Sequence, residues 1–327
     1  MPFNHKVALL FTGQGSQWPH MATVLYQEIP SLRKKIEADC NYFLNKHHID
    51  ITSIYNENCE FVCDIHQTQF TQPALVIFEI SLAEHLLSLG LKPNYVIGHS
   101  IGELAASYIA GFYTKEEIFD IVAHRAKQMQ KLPAIGSMLA CRTDKENTEK
   151  ILGFMGKSST VQIAGINSPQ QTILSGETET LENYRLKLKN TGIKSIPLQV
   201  SHAFHSNLMN PMLKPFQQNI DSILSKDCDS RPKLILNQAG EIADSNVITP
   251  TYWCKQIIQP VNYVQCIQNA YKLGVQSFIE VGPQPILLKL AQKILHNHSG
   301  LYFLSCYDQK NPHTTLKEAL KAISKNV

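Results

Sequence analysis

The segment 95–111 constrains this chain most, because it joins a short apolar run, a sharp glycine-rich turn and an Ala- and Leu-rich helical pattern. The turn over 98–102 has the spacing Gly-x-Ser-x-Gly. A serine between a strand and a helix stands at the apex of a strained turn, and the flanking glycines let the two elements pass closely. Helix-start N–H groups then point toward whatever the serine attacks. The pattern predicts an α/β sheet with Ser100 as a nucleophile; a plain glycine-rich strand-to-helix loop is the alternative.

Composition excludes several classes of protein. The chain has 327 residues, 43% hydrophobic and 17% charged, and a net charge of +3, which indicates a globular protein without the charge excess of a nucleic-acid or membrane-surface binder. No apolar run is as long as a membrane span, and the N-terminus lacks a signal-peptide core. We therefore expect a cytoplasmic protein with neither nucleic-acid nor membrane partners.

Eight cysteines are scattered along the chain without a Cys-x-x-Cys pair. Cys59, Cys63 and His66 have the spacing of half a zinc site, but no second pair follows at a suitable distance. Free thiols in a reducing compartment are the favoured interpretation, and no metal site is expected.

A second glycine-rich loop follows the first predicted strand, 7–11. The loop over 12–18 places a glycine on each side of Gln14. A phosphate cradle would need a Walker lysine or a third spaced glycine, and both are missing. Esterase-like sheets take one oxyanion-stabilising N–H from such an early loop, so we favour that role beside Ser100.

Helical periodicity covers much of the first half of the chain. The pattern predicts helices over 21–45, interrupted at Pro30, and over 74–87, with Pro73 near the start. A capping box, Thr114-Lys115-Glu116-Glu117, begins the helix that carries Arg125. Arg125 is either a solvated helical arginine or a fork that binds a carboxylate.

The middle of the chain predicts a separate unit. Residues 134–201 read as β-α-β-β-α-β, the pattern of a ferredoxin-like subdomain. We expect it to be inserted into a larger α/β subdomain formed by 1–133 and 202–327.

Two histidines follow this unit, in the loop His-Ala-Phe-His over 202–205. Metal binding would require a third ligand, and none is evident nearby. A catalytic base requires only one imidazole close to Ser100. Packing or surface histidines remain the alternative on spacing alone.

Taken in order, these motifs resemble the malonyl-CoA:acyl carrier protein transacylase family, most closely the acyltransferase domains of modular polyketide synthases. The motifs that carry the resemblance span most of the chain: Phe-Thr-Gly-Gln-Gly-Ser-Gln-Trp at 11–18, Thr-Gln-Pro-Ala-Leu at 71–75, Gly-His-Ser-Ile-Gly-Glu at 98–103, Arg125 with Met129-Gln130, Asn-Ser-Pro at 167–169, Ser-Gly-Glu at 175–177, His-Ala-Phe-His-Ser at 202–206 and Glu-Val-Gly-Pro-Gln-Pro at 280–285. The resemblance implies an α/β-hydrolase-like core with a parallel sheet and an inserted ferredoxin-like subdomain.

The resemblance also implies roles for individual residues. Ser100 would be acylated, with His205 as general base. The backbone N–H groups of Gln14 and Ile101 would form the oxyanion hole, and Arg125 would pair with the free carboxylate of a malonyl group. No acidic third member of a triad is evident, and the family orients its histidine with a backbone carbonyl.

Five further residues match positions of the family's site. Gln72 and Asn167 would line it. His202 and Phe204 belong to the motif associated with malonyl preference. Asn262 would help to hold the catalytic histidine.

The implied activity is transfer of malonyl from malonyl-CoA to the phosphopantetheine thiol of an acyl carrier protein, by a ping-pong reaction through an acyl-serine. No bound cofactor is expected, and we expect a free-standing monomer that serves polyketide or fatty-acid synthesis in trans. A proofreading acyl hydrolase on the same scaffold and a non-catalytic docking module of a synthase remain alternatives.

Overall fold

Nine strands form two sheets. The computed structural model describes residues 5–56, 59, 62–154, 160–226 and 232–326. The strands in these ranges are β1 (Lys6–Phe11), β2 (Tyr95–Gly98), β3 (Gly136–Cys141), β4 (Gln162–Ser168), β5 (Gln171–Glu177), β6 (Ser195–Pro197), β7 (Lys233–Ile235), β8 (Val275–Glu280) and β9 (Tyr302–Ser305).

Helices cover both faces of the larger sheet and one face of the smaller. They are α1 (Thr23–Glu28), α2 (Pro30–His47), α3 (Thr68–Ser88), α4 (Gly102–Ile109), α5 (Lys115–Gln130), α6 (Lys145–Phe154), α7 (Thr178–Asn190), α8 (Asn210–Ile220), α9 (Pro250–Ile258), α10 (Tyr263–Lys272), α11 (Leu287–Ile294) and α12 (Pro312–Asn326). No helix within the described residues is both long enough and apolar enough to span a bilayer.

The larger sheet is parallel, with the order β7-β2-β1-β8-β9. Along β1, Val7 and Leu9 join the core on one face, while Ala8 and Leu10 join a second cluster on the other. A strand buried on both faces is expected where helices cover a parallel sheet. The predicted α/β core is therefore confirmed.

The smaller sheet is antiparallel, with the order β4-β5-β3-β6, and the elements from β3 to β6 follow the predicted β-α-β-β-α-β sequence. It has its own apolar cluster, which includes Leu139, Leu174 and Tyr184. Strand β6 is shorter than the run 193–200 suggests, and it ends at Pro197, which has no N–H to donate to the ladder. The proposed boundaries of this unit at 134 and 201 remain a prediction.

A backbone bridge joins the smaller sheet to the loop between α9 and α10. The N–H of Ile166 donates to the carbonyl of Val261 (2.8 Å), and the N–H of Val261 donates to the carbonyl of Ala164 (3.0 Å). Ala164 and Ile173 also belong to the main hydrophobic core. The smaller sheet is thus held directly beside the loops that leave the parallel sheet.

Helix α3 differs from its sequence prediction. It begins at Thr68, so Pro73 lies inside the helix rather than near its start. Proline can donate no N–H, but the helix is fully packed, and burial of its apolar side chains outweighs one missing hydrogen bond. The earlier start brings Gln72 onto the helical face that meets α5. The capping box at Thr114 is confirmed: its hydroxyl accepts from the N–H of Glu117, whose carboxylate accepts from the N–H of Thr114.

Candidate active site

Ser100 stands in a strained turn between β2 and α4. Its φ is +54°, in the left-handed region that non-glycine residues rarely adopt. A Cβ on Gly98 would lie 2.1 Å from the backbone nitrogen of Glu103, and one on Gly102 would lie 2.4 Å from the carbonyl oxygen of Phe11. Only glycine fits these two places, which explains the Gly-x-Ser-x-Gly spacing.

His205 lies within hydrogen-bonding distance of the serine. Its Nε2 is 2.8 Å from Ser100 Oγ, and its Nδ1 is 2.8 Å from the carbonyl oxygen of Gln259. Because a carbonyl can only accept, Nδ1 carries the proton and Nε2 accepts from the hydroxyl. The backbone N–H of His205 donates to the carbonyl of Ile257 (3.1 Å), so the end of α9 fixes the ring.

The His205 imidazole is neutral. Burial lowers its pKa to about 3, and the positive charge of Arg125 adds to that effect. A neutral imidazole that accepts from a serine hydroxyl can take its proton. The interpretation of His205 as a surface histidine is therefore wrong.

Two backbone N–H groups close to the serine turn, those of Ile101 and Gln14, have no acceptor among the described residues. At the start of α4, the N–H groups of Gly102, Glu103 and Leu104 donate to carbonyls of the preceding turn. Among the hydrogen bonds of the described residues, none uses the N–H of Ile101 or that of Gln14. Free N–H donors beside a nucleophile are the elements of an oxyanion hole.

The loop that carries Gln14 is held by buried contacts. Thr12 Oγ1 donates to Glu79 Oε1 (2.6 Å), and Gln284 Nε2 donates to the carbonyl of Ser16 (2.8 Å). A Cβ on Gly13 would lie 2.8 Å from the carbonyl oxygen of His99, so the loop packs directly on the serine turn. This close approach explains why a glycine precedes Gln14.

Arg125 is 4% exposed and has only neutral hydrogen-bond partners. Its Nη1 donates to Gln72 Oε1 (2.5 Å), and its Nη2 approaches Gln256 Oε1 (3.4 Å) and Ser100 Oγ (3.5 Å). Its buried Nε has no acceptor. In the described part of the chain, no carboxylate lies within 4.0 Å of the guanidinium, as the ion pairs show.

Burial lowers the pKa of Arg125 to about 9, so the group is still charged at neutral pH. The interpretation of Arg125 as a solvated helical arginine is wrong. A buried cation that lacks a counter-ion and lies beside a nucleophile is suited to an anionic ligand.

Gln72 lies where the sequence placed it. Its side chain is fully buried, and its Nε2 donates to Thr68 Oγ1 (2.6 Å). Thr68 Oγ1 in turn donates to Gln14 Oε1 (2.9 Å). One hydrogen-bonded chain thus joins the first loop, α3 and Arg125.

The hydrogen bonds given for Ser100 Oγ, to His205 and Arg125, do not involve the other four predicted residues. Asn167 Oδ1 bonds His99 Nε2 (2.9 Å), and both side chains line the cleft. His202 is buried, its Nε2 is 2.9 Å from the carbonyl oxygen of Leu132, and its ring packs beside Phe204 at 6.0 Å.

Asn262 is not hydrogen-bonded to His205, in contrast to the prediction. Its Oδ1 accepts from the N–H of Gln265 (3.4 Å), so it caps α10. The carbonyl of Gln259 takes the orienting position instead, because the chain turns back toward His205 as soon as α9 ends.

Gln256 and Glu103 were not singled out from the sequence as site residues. Both are buried, and Gln256 Nε2 donates to the carbonyl of Ser100 (2.7 Å) and to Glu103 Oε2 (3.1 Å). The available signal was an amide on the apolar face of α9, next to the exposed Lys255.

Ser100 lines a cleft of about 520 Å³ between the two sheets. The first loop, the elbow and Phe204 form one side, and β3 to β5 form the other. Among the described residues, no three potential metal-ligating side chains are close enough to hold an ion.

A serine–histidine pair on a strand-turn-helix elbow defines a nucleophilic acyl-transfer class of site. Residues 8–321 match the profile of the acyl transferase domain, and the chain belongs to this family.

The relatives are consistent with this family. The chain is 33% identical to mycoketide-CoA synthase of Mycobacterium tuberculosis over 284 residues, which is 85% of this chain and 6% of that protein. It is 31% identical to polyketide synthase GfsA of Streptomyces halstedii over 89% of this chain and 4% of that protein. The chain thus spans only a small part of these curated relatives.

Solved structures have the same fold. The acyltransferase domain from the second module of the salinomycin polyketide synthase is 30% identical, with a TM-score of 0.87 over 96% of this chain and 72% of that one. A malonyl CoA-acyl carrier protein transacylase from Clostridium perfringens is 26% identical, with a TM-score of 0.84 over 98% of each chain.

Proposed function

We propose that this protein transfers a malonyl group from malonyl-CoA to the phosphopantetheine thiol of an acyl carrier protein, through a malonyl ester of Ser100. The observation that carries the proposal is the buried Arg125, which has only neutral partners and lies 3.5 Å from Ser100 Oγ. A guanidinium without a counter-ion beside the nucleophile favours an acyl group that brings its own carboxylate.

The first half-reaction follows from the serine–histidine geometry. Ser100 Oγ attacks the thioester carbon as its proton passes to His205 Nε2, 2.8 Å away. The carbonyl oxygen becomes an oxyanion held by the N–H groups of Ile101 and Gln14, at about 3 kcal/mol for each donor. Collapse breaks the carbon–sulfur bond, and the leaving CoA sulfur takes the proton back from His205.

The second half-reaction runs the same steps in reverse. A carrier thiol gives its proton to His205 Nε2 and attacks the ester carbon, and Ser100 Oγ leaves with that proton. The imidazolium formed in each half is stabilised by the carbonyl of Gln259, which accepts from Nδ1. A carbonyl dipole takes the place of a triad carboxylate here.

A groove lined by basic side chains lies next to the cleft and favours binding of an anionic donor or carrier arm. It measures about 760 Å³, shares Ala140 and Gln171 with the cleft, and is lined by four basic side chains: Arg142, Lys194, Lys293 and His296. None of the ion pairs formed by the described residues involves Arg142, Lys194 or Lys293. Unpaired cations beside the cleft favour the phosphates of CoA and of the pantetheine arm. The curated relatives carry this region inside much longer chains. Action in trans is a separate part of the proposal, which a separately supplied carrier protein tests.

The experiment is intact-mass measurement after brief incubation with malonyl-CoA or acetyl-CoA. We expect a malonyl adduct on the wild type, none on Ser100→Ala, and loss of the preference for malonyl over acetyl in Arg125→Ala. Arg33→Ala, an exposed arginine on α2, is the matched control. A separately supplied carrier protein should then remove the adduct faster than water does.

The rival functions make different predictions in this assay. A proofreading hydrolase would accept acetyl-CoA, ignore malonyl-CoA and lose its adduct to water. A docking module would form no adduct, and the 2.8 Å serine–histidine contact argues against that function.

A further inference from the structure

Gln256 contacts three functional groups at once. It lies in the last turn of α9 and is 2% exposed. Its Oε1 faces Nη2 of Arg125 (3.4 Å), while its Nε2 donates to the carbonyl of Ser100 (2.7 Å) and to Glu103 Oε2 (3.1 Å). The amide orientation is fixed chemically, since a guanidinium can only donate and a carboxylate can only accept.

Glu103 is a fully buried carboxylate whose hydrogen bonds all come from neutral groups. Its Oε1 accepts from the N–H of Asn237 (2.8 Å) and the hydroxyl of Tyr252 (2.7 Å). Its Oε2 accepts from Asn237 Nδ2 (2.8 Å) as well as from Gln256. These four donors satisfy the carboxylate without a cation.

Burial raises the pKa of Glu103, and the hydrogen bonds from Asn237, Tyr252 and Gln256 oppose that shift. Arg125 and Glu103 are therefore a buried base and a buried acid bridged by one amide. A direct pair between them would be strong in this water-excluded region. It would also occupy the guanidinium and compete with any carboxylate brought by a substrate. The amide meets the hydrogen-bonding needs of both groups and keeps them apart.

We propose that Gln256 is a positioning residue for acyl selectivity: it separates Arg125 from Glu103 and leaves the guanidinium free for the carboxylate of a dicarboxylic acyl group. This inference rests on the proposed function. It adds a third residue, the glutamine on α9, to Arg125 and Gln72 as a determinant of the selectivity of the site.

Two variants separate charge from hydrogen bonding. Gln256→Glu places one carboxylate oxygen where the amide oxygen faces Arg125, so an internal ion pair replaces the free guanidinium. Its other oxygen replaces Nε2, so the donor to the Ser100 carbonyl and to Glu103 is lost. Gln256→Met has similar length and no charge, and it removes the same donor to the Ser100 carbonyl. Gln292→Glu, at an exposed position on α11, is the matched control for the charge change.

Two rates are measured for each protein. One is malonyl loading from malonyl-CoA by quenched intact mass, and the other is modification of Ser100 by a neutral fluorophosphonate, which needs the serine and His205 but no carboxylate site. For malonyl we expect wild type and Gln292→Glu to be equal, Gln256→Met to be roughly 10-fold slower and Gln256→Glu on the order of 100-fold slower. The fluorophosphonate rates should stay within about 3-fold of one another, because the serine–histidine pair is unchanged.

The outcomes that overturn the inference are distinct from failure of the proposed function. If Gln256→Glu and Gln256→Met slow malonyl loading equally, or if both rates fall together, Gln256 supports the serine turn and not the free guanidinium. If neither variant changes malonyl loading, Gln256 has no role in acyl selectivity. A wild type that is never malonylated refutes the proposed function itself, and this inference with it.

Discussion

Replacing Arg125 by methionine should make the protein more stable and less functional. The guanidinium is fully buried, and its acceptors are two amide oxygens and a hydroxyl. Folding therefore takes a charge out of water with no carboxylate in contact; the charge of Glu103, beyond Gln256, opposes the effect of burial only in part. Methionine has a similar length and fills the same space without that cost.

The expected change in the free energy of unfolding follows from the pKa of Arg125 and from the two amide oxygens that lose its N–H donors. Burial lowers the pKa of Arg125 to about 9, which corresponds to about 5 kcal/mol against the charged form in the folded state. Arg125→Met also leaves the amide oxygens of Gln72 and Gln256 without this donor, at about 1–2 kcal/mol each. The expected net effect is a free energy of unfolding about 1–3 kcal/mol higher than that of the wild type.

The assay is urea unfolding followed by circular dichroism at neutral pH, together with malonyl loading. Lys34→Met, at an exposed position on α2, should change the free energy of unfolding by less than about 0.5 kcal/mol. Arg125→Met should raise the urea midpoint and lose malonyl loading. A lower midpoint would refute the reasoning, because it would make Arg125 a structural residue whose hydrogen bonds outweigh its desolvation.

Four further predictions concern protonation and packing. Malonyl loading should keep its neutral rate down to about pH 5, because burial holds the pKa of His205 at about 3; a half-maximal rate near the usual histidine pKa would contradict this. Since that pKa is lower in the folded than in the unfolded state, stability is lost as the pH falls, by about 2 kcal/mol between pH 8 and pH 5, measured against His205→Gln by urea titration. Burial raises the pKa of Glu79 well above its usual value, so Glu79→Gln should melt within a few degrees of the wild type, whereas Glu79→Leu should lose about 1–3 kcal/mol. Gly98→Ala should yield no folded protein, because its Cβ would meet the backbone nitrogen of Glu103 at 2.1 Å, whereas Gly153→Ala, with nothing within 4 Å, should be tolerated in a melting experiment.

Much of the site could be predicted because it lies in short local motifs. The elbow around Ser100, the loop around Gln14 and the capping box at Thr114 depend on consecutive residues whose backbone conformation follows from glycine, proline and capping chemistry. The continuous apolar run 7–11 likewise predicted a strand, and the structure buries it on both faces of the sheet.

The errors fall where distant segments meet. Asn262 caps a helix instead of holding His205. The ring is oriented by a backbone carbonyl, as the resemblance implied, and that carbonyl belongs to Gln259. A carbonyl has no side-chain signature, so the sequence offers no means to choose Gln259 over its neighbours. The start of α3 was also misplaced, because tertiary burial overrode the usual position of a proline.

The sequence by itself determined the α/β order of elements, the nucleophilic turn and the acyl transferase family resemblance, since these rest on local spacing and periodicity. Only the tertiary structure decided that Arg125 is a buried cation without a counter-ion. Its partners Gln72 and Gln256 lie 53 and 131 residues away along the chain. Whether a charged side chain is solvated, paired or held free depends on which distant groups pack around it, and that information exists only once α3, α5 and α9 have come together.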